Sequence, residues 1–330
     1  MNQKDILQYI RPYTVPHLGR STIQIIDSFL PYAALWALMI LSVKAGFPYW
    51  STLLLVPLAA VFLVRIFIIF HDCCHQNYFK SQRANRIVGT IFGILTFTPY
   101  ESWSADHITH HATVANLDQR GVGDVWTMTV KEYLEAPRAR RLAYRLVRNP
   151  FVMFGLGPIW VFMIAQRFFP KTAGTREKVG VIITNLGLLA LLAISYVTIG
   201  LKTFLIIQLP VMYVAGAMGI WLFYVQHQFD PTHWYPEKEW DYLAASLKGS
   251  SYYKLPKALQ WMSGNIGLHH VHHINPRIPN YYLQPCLDNT PILQEVPAIT
   301  LWQSFKTVKM NLWDEEKQKL VSFRSLKAVA

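Results

Sequence analysis

Charged residues and cysteines are scarce in this chain of 330 residues. Only 15% of its residues are charged, whereas an average soluble domain has about 25%. Hydrophobic residues make up 52%, which excludes an intrinsically disordered chain and is too apolar for an ordinary soluble enzyme. The 3 cysteines are too few to form a disulfide framework, so a small secreted scaffold is excluded as well.

Acidic residues are scarcer than basic ones, with 19 against 31, which gives a net charge of +12. An apolar chain with excess basic charge is typical of a membrane protein with cationic loops. Nucleic-acid binding would require the basic residues to cluster on a polar domain, and we therefore expect no nucleic-acid partner. The first 26 residues contain no compact apolar segment followed by a small-residue cleavage site, so no signal peptide is predicted.

Four apolar runs each approach the roughly 20 residues that cross about 30 Å of hydrocarbon. They comprise residues 28–43, 50–70, 179–199 and 203–225. Because the connections within the first pair and within the second pair are short, the runs predict two transmembrane hairpins. The first run is the shortest, and we expect its helix to extend back towards Ile26.

Basic residues indicate the orientation of these hairpins. Lys44 and Lys202 are the basic residues in the two short connections. Because basic loops are retained in the cytoplasm, residues 71–178 and 226–330, and with them both termini, are expected on the cytoplasmic side. Arg65 lies late in the second run, and we expect its side chain to extend to that surface.

Histidines are concentrated in four places, where nine of the 12 are candidate ligands. Three places are boxes with the spacing HxxxH or HxxHH, namely HDCCH, HITHH and HHVHH, and the fourth is a single histidine in FYVQHQFD. Residues at i, i+3 and i+4 share one face of a helix, so each box directs two or three imidazoles the same way. The nine residues are His71, His75, His107, His110, His111, His227, His269, His272 and His273.

Imidazole is the commonest metal ligand among the side chains. Eight or nine imidazoles exceed what one metal can hold, so the boxes predict a site for two metals, with four or five nitrogens each and open positions. Cys73 and Cys74 lie inside the first box and are alternative thiolate ligands, although small buried thiols are common. We interpret His17 and His233 as surface residues, and His270 lies off the ligand pattern of the third box.

Two further apolar stretches are constrained by the requirement that all boxes meet. Residues 87–99 are too short to cross a bilayer, and residues 151–168 are long enough but contain two glycines and a proline. If either stretch crossed alone, it would separate the boxes onto opposite faces. Both are therefore predicted to be interfacial or half-inserted.

Five segments together carry a resemblance to a known family. They are RIFIIFHDCCHQNYF (65–79), HHATVANLDQRGVGDVW (110–126), WLFYVQHQFD (221–230), KLPKALQWMSGNIGLHHVHHINPRIPNY (254–281) and LWDEEKQKLVSFR (312–324). They resemble the integral-membrane fatty acid desaturases, and among these the bacterial acyl-lipid enzymes of the Bacillus type, which are commonly Δ5-selective. The resemblance covers essentially the whole chain.

The resemblance implies a di-iron enzyme that removes two hydrogens from adjacent carbons of an acyl chain, using O₂ and two electrons. It assigns the eight box histidines as iron ligands, and His227 as a ninth. With the four runs, it predicts an all-α integral membrane protein of the bacterial plasma membrane. Its two transmembrane hairpins, interfacial helices and cytoplasmic helical cap would hold the di-iron site in one domain over residues 1–330.

Residues near the boxes are candidates for two supporting roles. A ligating imidazole usually donates its second N–H to an acceptor, and an amide near the third box could support a metal-bound water. Candidates for these contacts are Asp72, Asp106, Asp118, Asp230 and Asn265. Aromatic side chains are candidates to line a slot for the acyl chain, although a membrane interface attracts aromatic residues in any case. These are Trp103, Trp126, Trp221, Tyr224 and Trp261.

Residues 137–150 contain five arginines interleaved with apolar residues. This pattern predicts a basic helix on an anionic leaflet, which suits an acyl substrate esterified in phospholipid; a docking surface for an acidic electron carrier is the alternative. We find no Walker loop, dinucleotide fingerprint or haem domain of the cytochrome b5 kind. Electrons are therefore expected from a separate protein such as ferredoxin or flavodoxin.

Two other functions remain open from the residues alone. A membrane di-iron hydroxylase or monooxygenase, acting on lipids or alkanes, would share the boxes and differ in its product. A metal transporter or sensor would place its polar ligands within the spans, whereas these boxes lie at the ends of the spans and beyond.

Overall fold

The computed structural model describes residues 3–328, and their fold is mostly helical, as predicted. The α-helices are α1 (Gln3–Ile10), α2 (Leu18–Lys44), α3 (Tyr49–Cys74), α4 (Gln82–Leu95), α5 (Tyr100–Thr113), α6 (Val130–Glu135), α7 (Arg138–Val147), α8 (Thr175–Thr198), α9 (Leu201–His227), α10 (Tyr242–Lys248), α11 (Lys257–Met262), α12 (His269–Ile274), α13 (Asn280–Asp288), α14 (Pro291–Gln294) and α15 (Leu301–Ser304). Short 3₁₀ and π-helical segments connect several of them.

Four helices, α2, α3, α8 and α9, are long and apolar enough to cross a membrane. They contain 24 to 27 residues, or about 36–41 Å at 1.5 Å per residue, so they exceed the hydrocarbon thickness of about 30 Å. Helix α2 begins at Leu18, well before Ile26. This extension contains the polar residues Ser21 and Gln24, whose side chains are buried against the rest of the protein. A hydropathy pattern does not show such burial of polar residues.

Helix α3 is the central element of the fold. Of its 26 residues, 15 are buried, whereas only four of the 24 residues of α8 are buried. Its apolar side chains form one core with α2, α4 and α9. Because α3 is packed against α2, α4 and α9, the side chains in its last turn, including His71, are held in a fixed position.

Each pair of long helices forms a hairpin, as predicted. Residues 45–48 join α2 to α3, and two residues join α8 to α9. Gly200 in the second turn has φ +88°, a left-handed conformation that glycine adopts without a steric penalty. Helices α3 and α9 pack against each other, and both end at candidate ligand histidines. We call the side of the protein on which they end the histidine face.

The two ambiguous stretches do not add a crossing. Helix α4 has only 14 residues and packs between α3 and α8. The second stretch forms π-helical segments at Val152–Leu156 and Ile159–Ile164, bent by 62° from α7 and packed on α9. Because α5 and the start of α8 both lie at the histidine face, the chain between them returns to the face from which it left.

Two small sheets in the cap were not predicted. Parallel pairing joins β1 (Met128–Thr129) to β4 (Leu312–Asp314), and β4 pairs antiparallel with β5 (Lys319–Val321). A second parallel pair consists of β2 (Tyr252–Lys254) and β3 (Ala298–Thr300). Strands of two or three residues are too short to show the alternation by which a strand is recognised in a sequence.

Arg65 does not extend to the surface as expected, because it finds partners inside the protein. Its side chain is 2% exposed and lies 2.9 Å from the carboxylate of Asp27 on α2. The guanidinium also donates to Ser28 Oγ at 3.2 Å and to the backbone carbonyl of Trp261, and it lies 3.7 Å from the Trp261 ring centroid. One cation thereby joins α2, α3 and α11.

Removal of the Asp27 carboxylate leaves the Arg65 charge buried without its counter-ion. Loss of one partner of a buried pair typically costs about 3–5 kcal/mol. Because the Asp27 side chain is 36% exposed, we expect Asp27→Asn to lower the free energy of unfolding by a smaller amount, about 2–3 kcal/mol. Thermal unfolding in detergent measures this loss as a lower Tm.

Glu101→Gln is the matched control, because it removes the exposed pair of Glu101 with Arg86, whose side chain is 56% exposed. An exposed pair contributes about 0–1 kcal/mol. Equal Tm losses in the two variants would contradict the structural role of Arg65.

Candidate metal centre

All nine histidines of the boxes and of α9 converge at the histidine face. His71 lies in the last turn of α3, and His75 directly follows that helix. The second box lies on α5, His227 is the last residue of α9, and the third box forms most of α12. The nine side chains form two groups in which the candidate ligand atoms all lie within 4.8 Å of one another.

The five-histidine group consists of His71, His75, His107, His111 and His272. Its Nε2 atoms are close neighbours. The separation is 2.9 Å between His107 and His71, 3.1 Å between His111 and His107, and 2.9 Å between His272 and His111. These nitrogens surround one small volume.

The four-histidine group consists of His110, His227, His269 and His273. The Nε2 atom of His227 lies 3.1 Å from that of His110 and 3.0 Å from that of His269. The Nε2 atom of His273 lies 3.0 Å from that of His269. All four side chains are buried.

The second and third boxes are divided between the two groups. His110 and His111 are adjacent in the sequence but belong to different groups, and so do His272 and His273. Successive residues on a helix are about 100° apart, so neighbouring imidazoles diverge while those at i and i+4 converge. Helices α5 and α12 therefore each contribute to both groups. The prediction that each box directs its imidazoles the same way was wrong for these two boxes.

The nitrogen separations fit metal ions. With bonds of about 2.1 Å between metal and imidazole, adjacent ligands at right angles have nitrogens about 3.0 Å apart, which is the spacing in both groups. The buried Nε2 atom of His75 has no hydrogen-bond partner among residues 3–328, as expected of a ligand atom that faces an ion. Both groups are thus able to hold a metal.

Burial disfavours the protonated form of five imidazoles in α5 and α12. Burial lowers the pKa of His107, His111, His269, His272 and His273 well below the ordinary value, and the neighbouring imidazoles lower it further. A neutral imidazole has the free lone pair that a metal requires.

The five-histidine group is supported by a buried polar network. Asp72 accepts from His71 Nδ1 at 3.1 Å, which leaves Nε2 to face the group. The second oxygen of Asp72 accepts from the backbone and side-chain amides of Asn280, at 2.7 and 2.8 Å. Asn280 in turn pairs with the amide of Gln24 on α2, at 2.6 Å from Gln24 Nε2 to Asn280 Oδ1.

The four-histidine group is supported by two loops. Asp124, whose side chain is 7% exposed, accepts from His110 Nδ1 at 2.6 Å, and the backbone carbonyl of Gly249 accepts from His227 Nδ1 at 3.2 Å. Asp124 was missed in the sequence, although the motif Gly-Val-Gly-Asp indicates a tight turn. Gly123 has φ +67°, and a Cβ there would lie 3.1 Å from His110 Cβ, so the turn requires glycine.

Three of the predicted acceptors lie elsewhere. Asp106, Asp118 and Asp230 are exposed. Asp106 immediately precedes His107 on α5 and is rotated away from it by about 100°, and Asp118 accepts instead from the backbone N–H of Glu237, at 2.8 Å. For these three aspartates, proximity to a histidine in the sequence did not predict a contact with its imidazole. The side-chain amide of Asn265 donates to the carbonyl of Asn280 at 3.1 Å.

The remaining histidines and the two cysteines of the first box lie outside both groups. His17 caps the start of α2, where its Nδ1 accepts from Arg20 N at 3.3 Å. His270 is buried and contacts the carbonyl of Leu293, and His233 packs against an aromatic neighbour. Cys73 and Cys74 are buried in the core around α3, so the thiolate alternative has no support.

Comparison with known proteins identifies the family. A family model described as "Fatty acid desaturase" matches residues 48–298. The chain is also 47% identical over 327 residues to a fatty acid desaturase of Bacillus subtilis (strain 168), an alignment that covers 99% of this chain and 92% of that protein. The chain belongs to the fatty acid desaturase family. The predicted resemblance is confirmed.

More distant desaturases match as well. An sn-1 acyl-lipid omega-3 desaturase (ferredoxin) of Nostoc sp. (strain 36) is 22% identical over 329 residues, covering 94% of this chain and 80% of that protein. An endoplasmic reticulum omega-3 fatty acid desaturase of Vigna radiata is 27% identical over 254 residues, covering 71% and 62%. Membership makes this protein an oxidoreductase and selects desaturation over the hydroxylase and transporter alternatives.

Two aromatic residues of this desaturase lie against the histidine groups. Trp103 stacks on His107, with ring centroids 4.3 Å apart and planes at 23°. Phe223, which was missed in the sequence, lies 5.5 Å from His110 and 5.1 Å from His227. The signal for Phe223 was its position four residues before His227, on the same face of α9.

The other four slot candidates have different partners. Trp126 packs on Tyr144, with ring centroids 5.0 Å apart, and Trp261 lies beneath Arg65. Trp221 packs against Phe154 at 5.1 Å. Tyr224 donates to the carbonyl of Thr307 at 2.9 Å. These contacts indicate structural positions in the protein, and Trp103 is the predicted aromatic residue that meets a histidine group.

Asp124 is expected to control metal retention through His110. Loss of such a supporting contact typically weakens metal affinity about 10- to 100-fold, so Asp124→Ala should lose metal to a chelator far more readily than the unaltered protein. Metal content after dialysis against graded chelator measures this change. Asp118→Ala is the matched control, because it removes a nearby exposed carboxylate. Equal retention in both variants would show that the contact with His110 is unimportant.

Proposed function

We propose that this desaturase introduces a cis double bond into acyl chains that are esterified in membrane phospholipids. The two metals are two irons, held by His71, His75, His107, His111 and His272 in one group and by His110, His227, His269 and His273 in the other. The observation that carries this proposal is the position of both histidine groups at the ends of α3 and α9, two of the helices long and apolar enough to cross a membrane.

The donor set suits iron and the reaction. An unactivated methylene has no acidic proton, so acid–base chemistry alone cannot begin the reaction; bound iron would supply the activation of O₂. The overall balance is –CH₂–CH₂– plus O₂, two electrons and two protons, giving –CH=CH– and two waters. The imidazoles would hold two ions and leave coordination positions open.

Aromatic side chains are proposed to position the acyl chain. Trp103 contacts the five-histidine group, and Phe223 contacts the four-histidine group. Both side chains are partly buried, so each presents an apolar surface beside the ligands. An acyl chain placed between them would meet both groups, and the same surfaces would exclude water from the reacting carbons.

Phospholipid is proposed as the substrate because both histidine groups lie at the ends of apolar helices and because the Nostoc relative is an acyl-lipid enzyme by name. The name of that relative also includes ferredoxin, which supports a separate electron carrier, either ferredoxin or flavodoxin, for this protein. The excess of basic residues on the histidine face supports a cytoplasmic orientation in a bacterial plasma membrane.

Purified protein in nanodiscs of fully saturated phospholipid tests the substrate. With iron, O₂ and a reduced carrier present, we expect intact phospholipid molecules that are two hydrogens lighter, with the double bond mapped by fragmentation mass spectrometry. Saturated acyl-CoA in place of the phospholipid should give no product. Product on acyl-CoA alone, or a hydroxylated chain without a double bond, would refute the proposal.

Replacement of single ligands tests the metal assignment. We expect His272→Ala and His107→Ala to abolish desaturation and to lower the iron content, while the protein remains in the membrane, because each loses a nitrogen of the five-histidine group. His17→Asn is the control, since asparagine preserves a helix N-cap and His17 lies outside both groups. Wild-type activity and iron content in His272→Ala would contradict the assignment.

A further inference from the structure

Helix α7 has a buried face and an exposed apolar face on opposite sides. Tyr144 and Arg148 on the buried side are 0% and 2% exposed, whereas Leu142 and Leu146 are 69% and 58% exposed. With 3.6 residues per turn, the two leucines lie about 160° around the helix from Tyr144 and Arg148. No other part of residues 3–328 covers this pair of leucines.

The exposed face of α7 is bordered by cations. Arg138, Arg140 and Arg145 are exposed, and the helix, RARRLAYRLV, contains no acidic residue. Viewed along the helix axis, Arg138 and Arg145 lie about 60° and 80° from the midpoint of the two leucines, on the same side of them. An apolar stripe flanked by basic residues is the pattern of a helix that lies in a membrane interface, with its cations at the level of the lipid phosphates.

The exposed face is continuous with the surface of the spans. Phe151, the fourth residue after α7, is 87% exposed. The bent π-helical stretch that packs on α9 follows it. Trp160 in this stretch is 61% exposed. Aromatic residues of this kind are enriched where a bilayer meets water. The chain therefore passes from α7 directly into the surface that faces lipid.

The buried side of α7 is attached to the end of α9, where His227 lies. Arg148 donates to Gln228 Oε1 at 2.8 Å, and Gln228 directly follows His227. Tyr144 donates to the carbonyl of Asn311 in the cap. These contacts fix α7 between the cap and the bilayer.

We propose that α7 lies in the headgroup layer of the membrane and binds anionic phospholipid. Leu142 and Leu146 enter the acyl region, and Arg138 and Arg145 bind the phosphates. A soluble acidic carrier would satisfy the arginines but would leave the leucines in water, so the membrane is the better partner. The proposal does not depend on which lipid is the substrate.

A fluorophore at Leu146→Cys tests the contact with the bilayer. The three native cysteines are buried, so a bimane label reacts with the introduced one. In nanodiscs that contain a trace of phospholipid spin-labelled at the headgroup, we expect quenching at Leu146→Cys. Ile182→Cys on α8, which is exposed on a span, should be quenched as well, whereas Glu239→Cys, on an exposed part of the cap, should not.

The head-group preference is tested with the same label. Spin-labelled phosphatidylglycerol should quench Leu146→Cys more than the same mole fraction of spin-labelled phosphatidylcholine. Arg138→Gln with Arg145→Gln should lower this ratio towards one. Lys238→Gln with Lys319→Gln removes the same charge from exposed cap positions and should leave the ratio unchanged.

Three results would overturn the proposal. Absence of quenching at Leu146→Cys would show that the helix does not touch the bilayer. Equal quenching by the two lipids would show that the arginines do not select anionic headgroups. Loss of quenching when a reduced flavodoxin is added would show that the carrier occupies this face. None of these readouts requires desaturase activity, so failure here is distinguishable from failure of the proposed function.

Discussion

The position of the nine imidazoles is the constraint on which the rest of this desaturase depends. Their Nε2 atoms approach to 2.9–3.1 Å within each group, and buried polar atoms at such spacing are costly unless each is bonded. The histidines come from four helices and are spread over residues 71–273 of the chain. Two hairpins and a returning π-helical stretch satisfy the constraint, since they bring every box back to one face.

The two groups are supported in different ways. The carboxylate beside His71 belongs to a buried network that reaches from α3 to α2 and α13 through Asp72, Asn280 and Gln24. The acceptors for the four-histidine group come from the loops at Asp124 and Gly249. Buried networks between packed helices open less readily than surface loops. The five-histidine group is therefore supported by the packed helices, and the four-histidine group by two loops.

The sequence predicted the elements with strong local patterns. Apolar runs identified the four long helices, and the spacing of histidines identified the residues that meet, because both signals are periodic along one helix. Long-range contacts were harder to predict. Asp106 and Asp118 were chosen for their proximity in the sequence, but a glycine turn brings Asp124 to His110 instead. Arg65 was expected at the surface because it lies late in the second apolar run, and its partner on α2, Asp27, is 38 residues away in the sequence. Strands of two or three residues carry no periodic signal.

Helices α5 and α12 each carry ligands for both groups, and this arrangement has a consequence for assembly. Helix α12 has only six residues, too few to be stable alone, so three of the nine ligands depend on tertiary contacts for their orientation. An ion bound in one group would fix the rotation of both shared helices and would thereby place His110, His269 and His273, or their counterparts, for the other. The ordering that the second ion requires would then already be present, which would favour fully empty and fully loaded protein over a half-loaded form.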